Sequence, residues 1–257
     1  MGHNVPSLVR LVGAQGEGWR AFIGSAERGE SWSAPGVSVG IGGEAAHEVN
    51  LIVAYGPDGV GDGIAGAAAV LRRRMLPGVV YAASPVAAET ATAAAALGFT
   101  SGGHLPLMCA HAGDVVSVEN AHETVRVAGV EGVLAAGDVL ADAFGLPVDW
   151  CQRLLGVGFA ARTDAAAFLA LHDGRPVAVA GCAQIGDIAG LYAVGTRHSH
   201  RRRGAAAAAV SAAIGHHLGA GARWFAVYSS PAAEPVYAGL GFVAVDHAST
   251  WVLWPAG

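Results

Sequence analysis

The sequence predicts a mixed α/β fold in which a mostly antiparallel sheet is flanked by helices. Three features of the 257-residue chain carry that reading. The second half alternates helix-like and strand-like segments. Within it, His172-Asp173-Gly174-Arg175 is an Asp-Gly turn between two apolar runs, which signals a hairpin. Finally, the apolar run 188–194 leads through a basic turn into an Ala-rich helix that begins after Gly204.

The elements follow in chain order. Segments 62–75 and 86–97 read as helices, with a strand at 78–82 between them. A polar stretch at 110–124, holding His111, Asp114, Glu119, Asn120 and Glu123, then divides the chain. A boundary near Gly113 gives two domains, 1–112 and 113–257. Beyond it, 131–144 and 148–155 read as helices, and 166–171, 176–184 and 188–196 as three antiparallel strands. The helix after Gly204 has Val210, Ile214 and Leu218 four apart, which is one buried stripe, and it stops at Gly219 and Gly221. His216 and His217 fall at its C-terminus, where positive charge suits the helix dipole. Residues 224–228 are apolar on both alternating faces, as a central strand requires. Ser230 reads as an N-cap with Pro231 at the first helical position, and that helix ends near Leu240-Gly241. Strands at 242–245 and 250–253 close the chain.

Composition narrows the function. The chain is 53% hydrophobic and 14% charged, enough to bury a large core. A net charge of −5 argues against a general nucleic-acid binder. Every basic residue other than histidine is arginine, and Ala and Gly abound, a composition that GC-rich bacterial genomes produce. Cys109, Cys151 and Cys182 are too few and too far apart for a disulfide framework or a CxxC metal site, so a reduced cytoplasmic setting is expected. No apolar run is long enough to span a bilayer, and the N-terminus has no signal-peptide pattern. His198-x-His200 lacks a third ligand at the expected spacing, so no metal is expected.

The basic turn is the chemically telling stretch. The first N–H groups of a helix have no intrahelical partner, and the helix dipole adds partial positive charge there. The turn Arg201-Arg202-Arg203-Gly204-Ala205-Ala206 therefore forms an anion site, open to close backbone approach and suited to a diphosphate.

Two motifs on these elements resemble one family. Arg201-x-x-Gly204-x-Ala206, and Ser230-x-x-Ala233-x-x-x-Tyr237-x-x-x-Gly241-Phe242 after it, are similar to the turn and second signatures of the GCN5-related N-acetyltransferase (GNAT) superfamily. Ser230 stands where Asn is commoner. The resemblance covers roughly 115–253. The first half carries a fainter echo. Leu97-Gly98-Phe99 repeats Leu240-Gly241-Phe242, and Ser84-Pro85 matches Ser230-Pro231. It has no basic turn, and Ala94 stands where the second half has Tyr237, so it reads as a degenerate second repeat, as in tandem GNAT proteins.

The resemblance implies an acetyl-CoA-dependent N-acetyltransferase acting on a small-molecule amine. It implies that the backbone from Arg201 through Ala206 holds the pyrophosphate of CoA. Val194 and Thr196 would meet the pantetheine arm, Ser230 and Ala233 would line the same path, and Tyr237 would protonate the departing thiolate. The general base is open among Asp187, Tyr192, His198, His200 and Glu234. The acceptor site is expected between the two repeats, with no nucleic acid or membrane as partner and a homodimer left open. Two other readings stand beside this one: a non-catalytic acyl-CoA sensor or scaffold, and an enzyme of the same fold with another acyl donor or reaction.

Overall fold

The computed structural model describes residues 5–116 and 122–255; Glu119 and Asn120 of the polar stretch lie outside them. The helices are α1 (Leu8–Ile23), α2 (Val60–Arg73), α3 (Ala87–Ala96), α4 (Gly129–Phe144), α5 (Val148–Ala160), α6 (Ala205–Gly219) and α7 (Glu234–Gly239). The strands are β1 (Glu30–Ala34), β2 (Val37–Ile41), β3 (Asn50–Ala54), β4 (Gly78–Ala82), β5 (Thr100–His111), β6 (Glu123–Arg126), β7 (Ala165–His172), β8 (Arg175–Ile185), β9 (Ile188–Thr196), β10 (Trp224–Tyr228) and β11 (Val243–Leu253).

All of these strands join one sheet in the order β1-β2-β3-β4-β11-β5-β10-β9-β8-β7-β6. Only β3–β4 and β9–β10 pair in parallel, so the expected mostly antiparallel α/β architecture holds. The last strands of the two halves are exchanged. β11 lies between β4 and β5, and β5 pairs with β10. One hydrogen-bonded ladder thus runs through both halves, and an apolar cluster reaches from Leu11 and Val39 to Leu155 and Val179.

Local chemistry explains the elements that were read correctly. Asp173 (φ 49°) and Gly174 (φ 71°) are both left-handed, the turn that matches the strand twist between β7 and β8. Both Leu-Gly-Phe segments close their helices in the same way. Gly98 and Gly241 have positive φ, and the next residue's N–H reaches back to the helix, Phe99 to Ala94 and Phe242 to Tyr237, each at 3.0 Å.

Five expectations change. Leu218 is 37% exposed, so the buried stripe of α6 ends at Ile214. Ser230 does not cap a helix: α7 begins at Glu234 with Ala233 as its cap, because the Ser230 carbonyl folds 231–233 into a turn by accepting from Ala233 N–H (2.9 Å) and Glu234 N–H (3.2 Å). The two closing strands are one long strand, since β11 finds a continuous partner in β5, with bulges at Ala244/Asp246 and Thr250/Trp251. Helix α5 runs past 155 to Ala160 through a kink at Gly156. His217 is not a solvated, dipole-stabilised cation: it is 1% exposed, and burial, then His216, lowers its pKa to about 4.

Candidate functional site

The site forms where two parallel strands part. β9 and β10 pair only over Ile188–Trp224, Ala189–Phe225 and Gly190–Ala226. Beyond Gly190, β9 continues to Thr196 and β10 to Tyr228 without pairing to each other. On its other side β9 slips register against β8, from Gly195↔Val179 to Tyr192↔Gly181, so Ala193 and Val194 have no partner residue there. Ala193 takes φ 48°, a left-handed value that a non-glycine residue adopts only where surroundings hold it. The peptide groups of Ala193 and Val194 are thereby turned out of both ladders and border an open cleft.

That cleft has a volume of about 460 Å³. Val194, Ser230, Ala233 and Tyr237 all line it. So do Gln15, Trp19, His47, Glu48 and Tyr81 from the first half. Tyr237 is 3% exposed, and burial raises its phenol well above the ordinary value, so it stays protonated at neutral pH and can donate.

A second pocket, of about 290 Å³, lies at the start of α6 and is lined by Thr196, His200, Arg202, Gly204, Ala205 and Ala206 on one side and by α7 on the other. Gly204 caps α6 in the left-handed region (φ 82°), as does Arg202 (φ 61°) two residues before it, and no side chain caps the helix. A helix N-terminus of this kind attracts an anion through its first-turn N–H groups and dipole. β9 links the pockets: Val194 faces the cleft and Thr196 the turn, about 7 Å apart on an extended strand. A ligand with a diphosphate at one end and an amide-rich arm would run along this path, and the residues present fit it.

The Arg201 side chain points elsewhere. Arg201 donates to the Ala143 carbonyl at 2.8 Å, tying the turn to the end of α4, and the Arg203 carbonyl contacts the His122 ring at 3.0 Å. Of the five candidates for the base, only Tyr192 lines the cleft, and its hydroxyl donates to the Gln15 carbonyl at 2.7 Å while burial raises its pKa well above 10. Asp187 pairs with Arg10 at the opposite end of β9. His198 contacts Asp142 at 3.2 Å, and that carboxyl is held below its usual range first by the His198 N–H. His200 borders the turn pocket with its pKa lowered, by desolvation first and Arg203 second. Glu234 lines neither pocket. Among the described residues no group of three or more His, Cys, Asp or Glu could hold a metal.

Sequence reading missed Gln15, Glu48 and Tyr81. Gln15 left one trace: a lone polar residue in the helical stripe Leu11, Val12, Trp19, Phe22, all of them buried.

A pocket at the start of α6 thus lies beside a splayed parallel strand pair in a mixed α/β fold. Residues 139–242 match the family model of the acetyltransferase (GNAT) family. The whole chain shares its fold with a GCN5-related N-acetyltransferase from Kribbella flavida (TM-score 0.70, 21% identity, 99% of this chain and 98% of that one). It is similar in fold to a GCN5-related N-acetyltransferase from Sphaerobacter thermophilus (TM-score 0.58, 16% identity, 84% and 75%). A tandem GNAT protein from the clavulanic acid biosynthesis pathway also aligns (TM-score 0.53, 14% identity, 86% and 79%). No curated protein matches the sequence significantly.

Proposed function

We propose that this chain is an acetyl-CoA-dependent N-acetyltransferase for a small-molecule amine, with one cofactor site, in the second half. The observation that carries this reading is the splay of β9 from β10, continuous with the uncapped start of α6. In this reading the backbone from Arg201 through Ala206, with the Arg202 side chain, binds the diphosphate, and Thr196 and Val194 orient the pantetheine arm. The bound thioester supplies an activated acetyl group and a thiolate leaving group. The peptide groups around Ala193 and Val194 would stabilise charge on the carbonyl oxygen as the amine, bound as an ammonium and then freed of one proton to water, attacks. Tyr237, kept protonated by burial, would give its proton to the sulfur as the C–S bond breaks, and the proton that the nitrogen sheds on becoming an amide would restore the phenol through water. Ser230 and Ala233 shape the path beside it.

The division at 112/113 is part of this proposal, with the first half as a degenerate repeat. It has the same order, β3-α2-β4-α3-β5 against β9-α6-β10-α7-β11, and a left-handed glycine before α2 (Gly59, φ 76°) as before α6. Yet β3 and β4 stay paired to their ends at Ala54 and Ala82, so no cleft opens. The Gly36 carbonyl accepts from the N–H groups of Tyr55 (2.8 Å) and Gly56 (3.2 Å), closing the loop where a diphosphate would come. The proposed setting is the cytoplasm, where the buried thiols Cys109, Cys151 and Cys182 stay reduced.

Calorimetric titration with CoA, alongside an assay of thiol release from acetyl-CoA with an amine panel, tests the reading. One CoA per chain and amine-dependent release are expected. Two CoA per chain would refute the silent first half, and CoA binding without release on any amine would favour a sensor.

A further inference from the structure

We propose that the first half of the chain supplies the acceptor-recognition groups, the Gln15 amide at the foot of the cleft and the Glu48 carboxylate on its wall, and that together they select a primary ammonium on an apolar body. This rests on the acyltransferase reading above and names the substrate class of the same site.

Gln15 is 1% exposed, and neither its Nε2 nor its Oε1 has a hydrogen-bond partner among the described residues. A buried amide without partners opposes folding, so its presence asks for a ligand. Its place is well defined. Tyr192 Oη donates to the Gln15 backbone carbonyl at 2.7 Å, pinning α1 to β9. Gln15 Oε1 would lie only 2.6 Å from a Cβ at Gly190, the last residue of β9 that pairs with β10. The absence of a side chain at Gly190 therefore lets the amide reach the point where the strands part.

On the facing strand, Tyr228 Oη is buried and also without a partner, and its ring meets Tyr81 edge-on at 5.0 Å. Two unpaired polar groups thus border a cleft whose other walls are aromatic and aliphatic, among them Trp19, Leu51 and Val79. Glu48, whose side chain is 58% exposed, is the sole carboxylate among the described lining residues, and the lone imidazole there, His47, lies 3.4 Å from it. Its charge is felt inside: the Tyr81 phenol is pushed up to about 12 by burial first and by Glu48 second. An apolar, aromatic cavity with one negative group attracts an organic cation, whose ammonium also gains from the ring faces. Gln15 and Tyr228 then offer both donors and acceptors to orient it.

The test uses the full-length protein and three probes of one shape: phenethylamine, 2-phenylethanol and 3-phenylpropionate. Their affinities are measured by calorimetry with and without saturating CoA. Phenethylammonium should bind at least tenfold tighter than the alcohol, and the carboxylate least. Glu48→Gln should erase the preference for amine over alcohol while leaving CoA affinity within twofold, and Glu48→Asp should restore part of it. Gln15→Leu should raise the melting temperature of the ligand-free protein and weaken amine binding at least tenfold, a combination that a purely structural glutamine would not produce. Equal binding of amine and alcohol, no measurable binding of the amine, or unchanged discrimination in Glu48→Gln overturns the proposal. Failure of the wild type to bind CoA counts against the acyltransferase reading instead, and the CoA-free arm still decides the question of charge selection.

Discussion

Acid should loosen the helix that carries the anion turn, through His217. The ring lies in the last turn of α6, 1% exposed, with Nδ1 3.1 Å from Gln184 Oε1 and Nε2 without a partner. Burial, reinforced by His216, lowers its pKa to about 4, against about 6.5 in the unfolded chain. The folded value is the depressed one, so the unfolded state takes up the proton first as pH falls. Stability from this group is complete above about pH 6.5 and declines steadily as pH falls to about 4. By pH 4.5 the loss is on the order of 2.5 kcal/mol, at about 1.36 kcal/mol per pH unit. Other groups titrate in the same window, so the informative quantity is a difference between proteins. His217→Gln keeps an amide donor for Gln184 and removes the titration. Urea unfolding at pH 7.5 and pH 4.5 should show the variant losing about 2.5 kcal/mol less than the wild type between the two. Stability–pH curves of the same slope for both proteins would refute the argument that this ring is neutral in the fold.

Other substitutions probe the site and the joint between the halves. Gly204→Glu places a carboxylate and a side chain at a left-handed position in the anion turn, and should abolish the rise in melting temperature that CoA produces in the wild type; an undiminished rise would remove the turn from the cofactor site. Tyr237→Phe loses only a hydroxyl from a buried ring, so CoA affinity should hold within a few fold while kcat falls by roughly 10²-fold or more. Wild-type turnover in that variant would assign protonation of the thiolate to water. Glu44→Gln should cost about 3 kcal/mol by urea unfolding, because it breaks the two-pronged contact with Arg153 (2.7 and 3.0 Å) and leaves that guanidinium only Asp149. A cost near zero would mean that the pair is solvated and does not join α5 to the first half.

What could be read from the sequence was what neighbouring residues decide among themselves. The Asp173-Gly174 hairpin, β9, the basic turn, α6, β10 and both Leu-Gly-Phe helix stops rest on backbone preferences and side-chain periodicity within a few residues. The turn before α6 was legible for the same reason: a glycine able to adopt φ 82° and the helix behind it are consecutive. Helix α1 escaped notice because glycines at 13, 16 and 18 mute its helical signal, and the reason for Gly18 lies 174 residues away, where the Tyr192 hydroxyl occupies the space of a side chain. β5 and β6 were hidden in or beside a polar stretch, since half of β5 is exposed and its pairing comes from β10 and β11. Only tertiary structure decided the cleft. Its opening depends on where β9 stops pairing with β10, and its walls come from α1, the 47–49 turn, β4 and α7, which the strand exchange between the halves brings to one place. Glu48 and Tyr81 look like an ordinary surface acid and a strand tyrosine in sequence. They line the same cleft as Tyr237 only because long-range pairing brings them there, and no local preference encodes a juxtaposition of that kind.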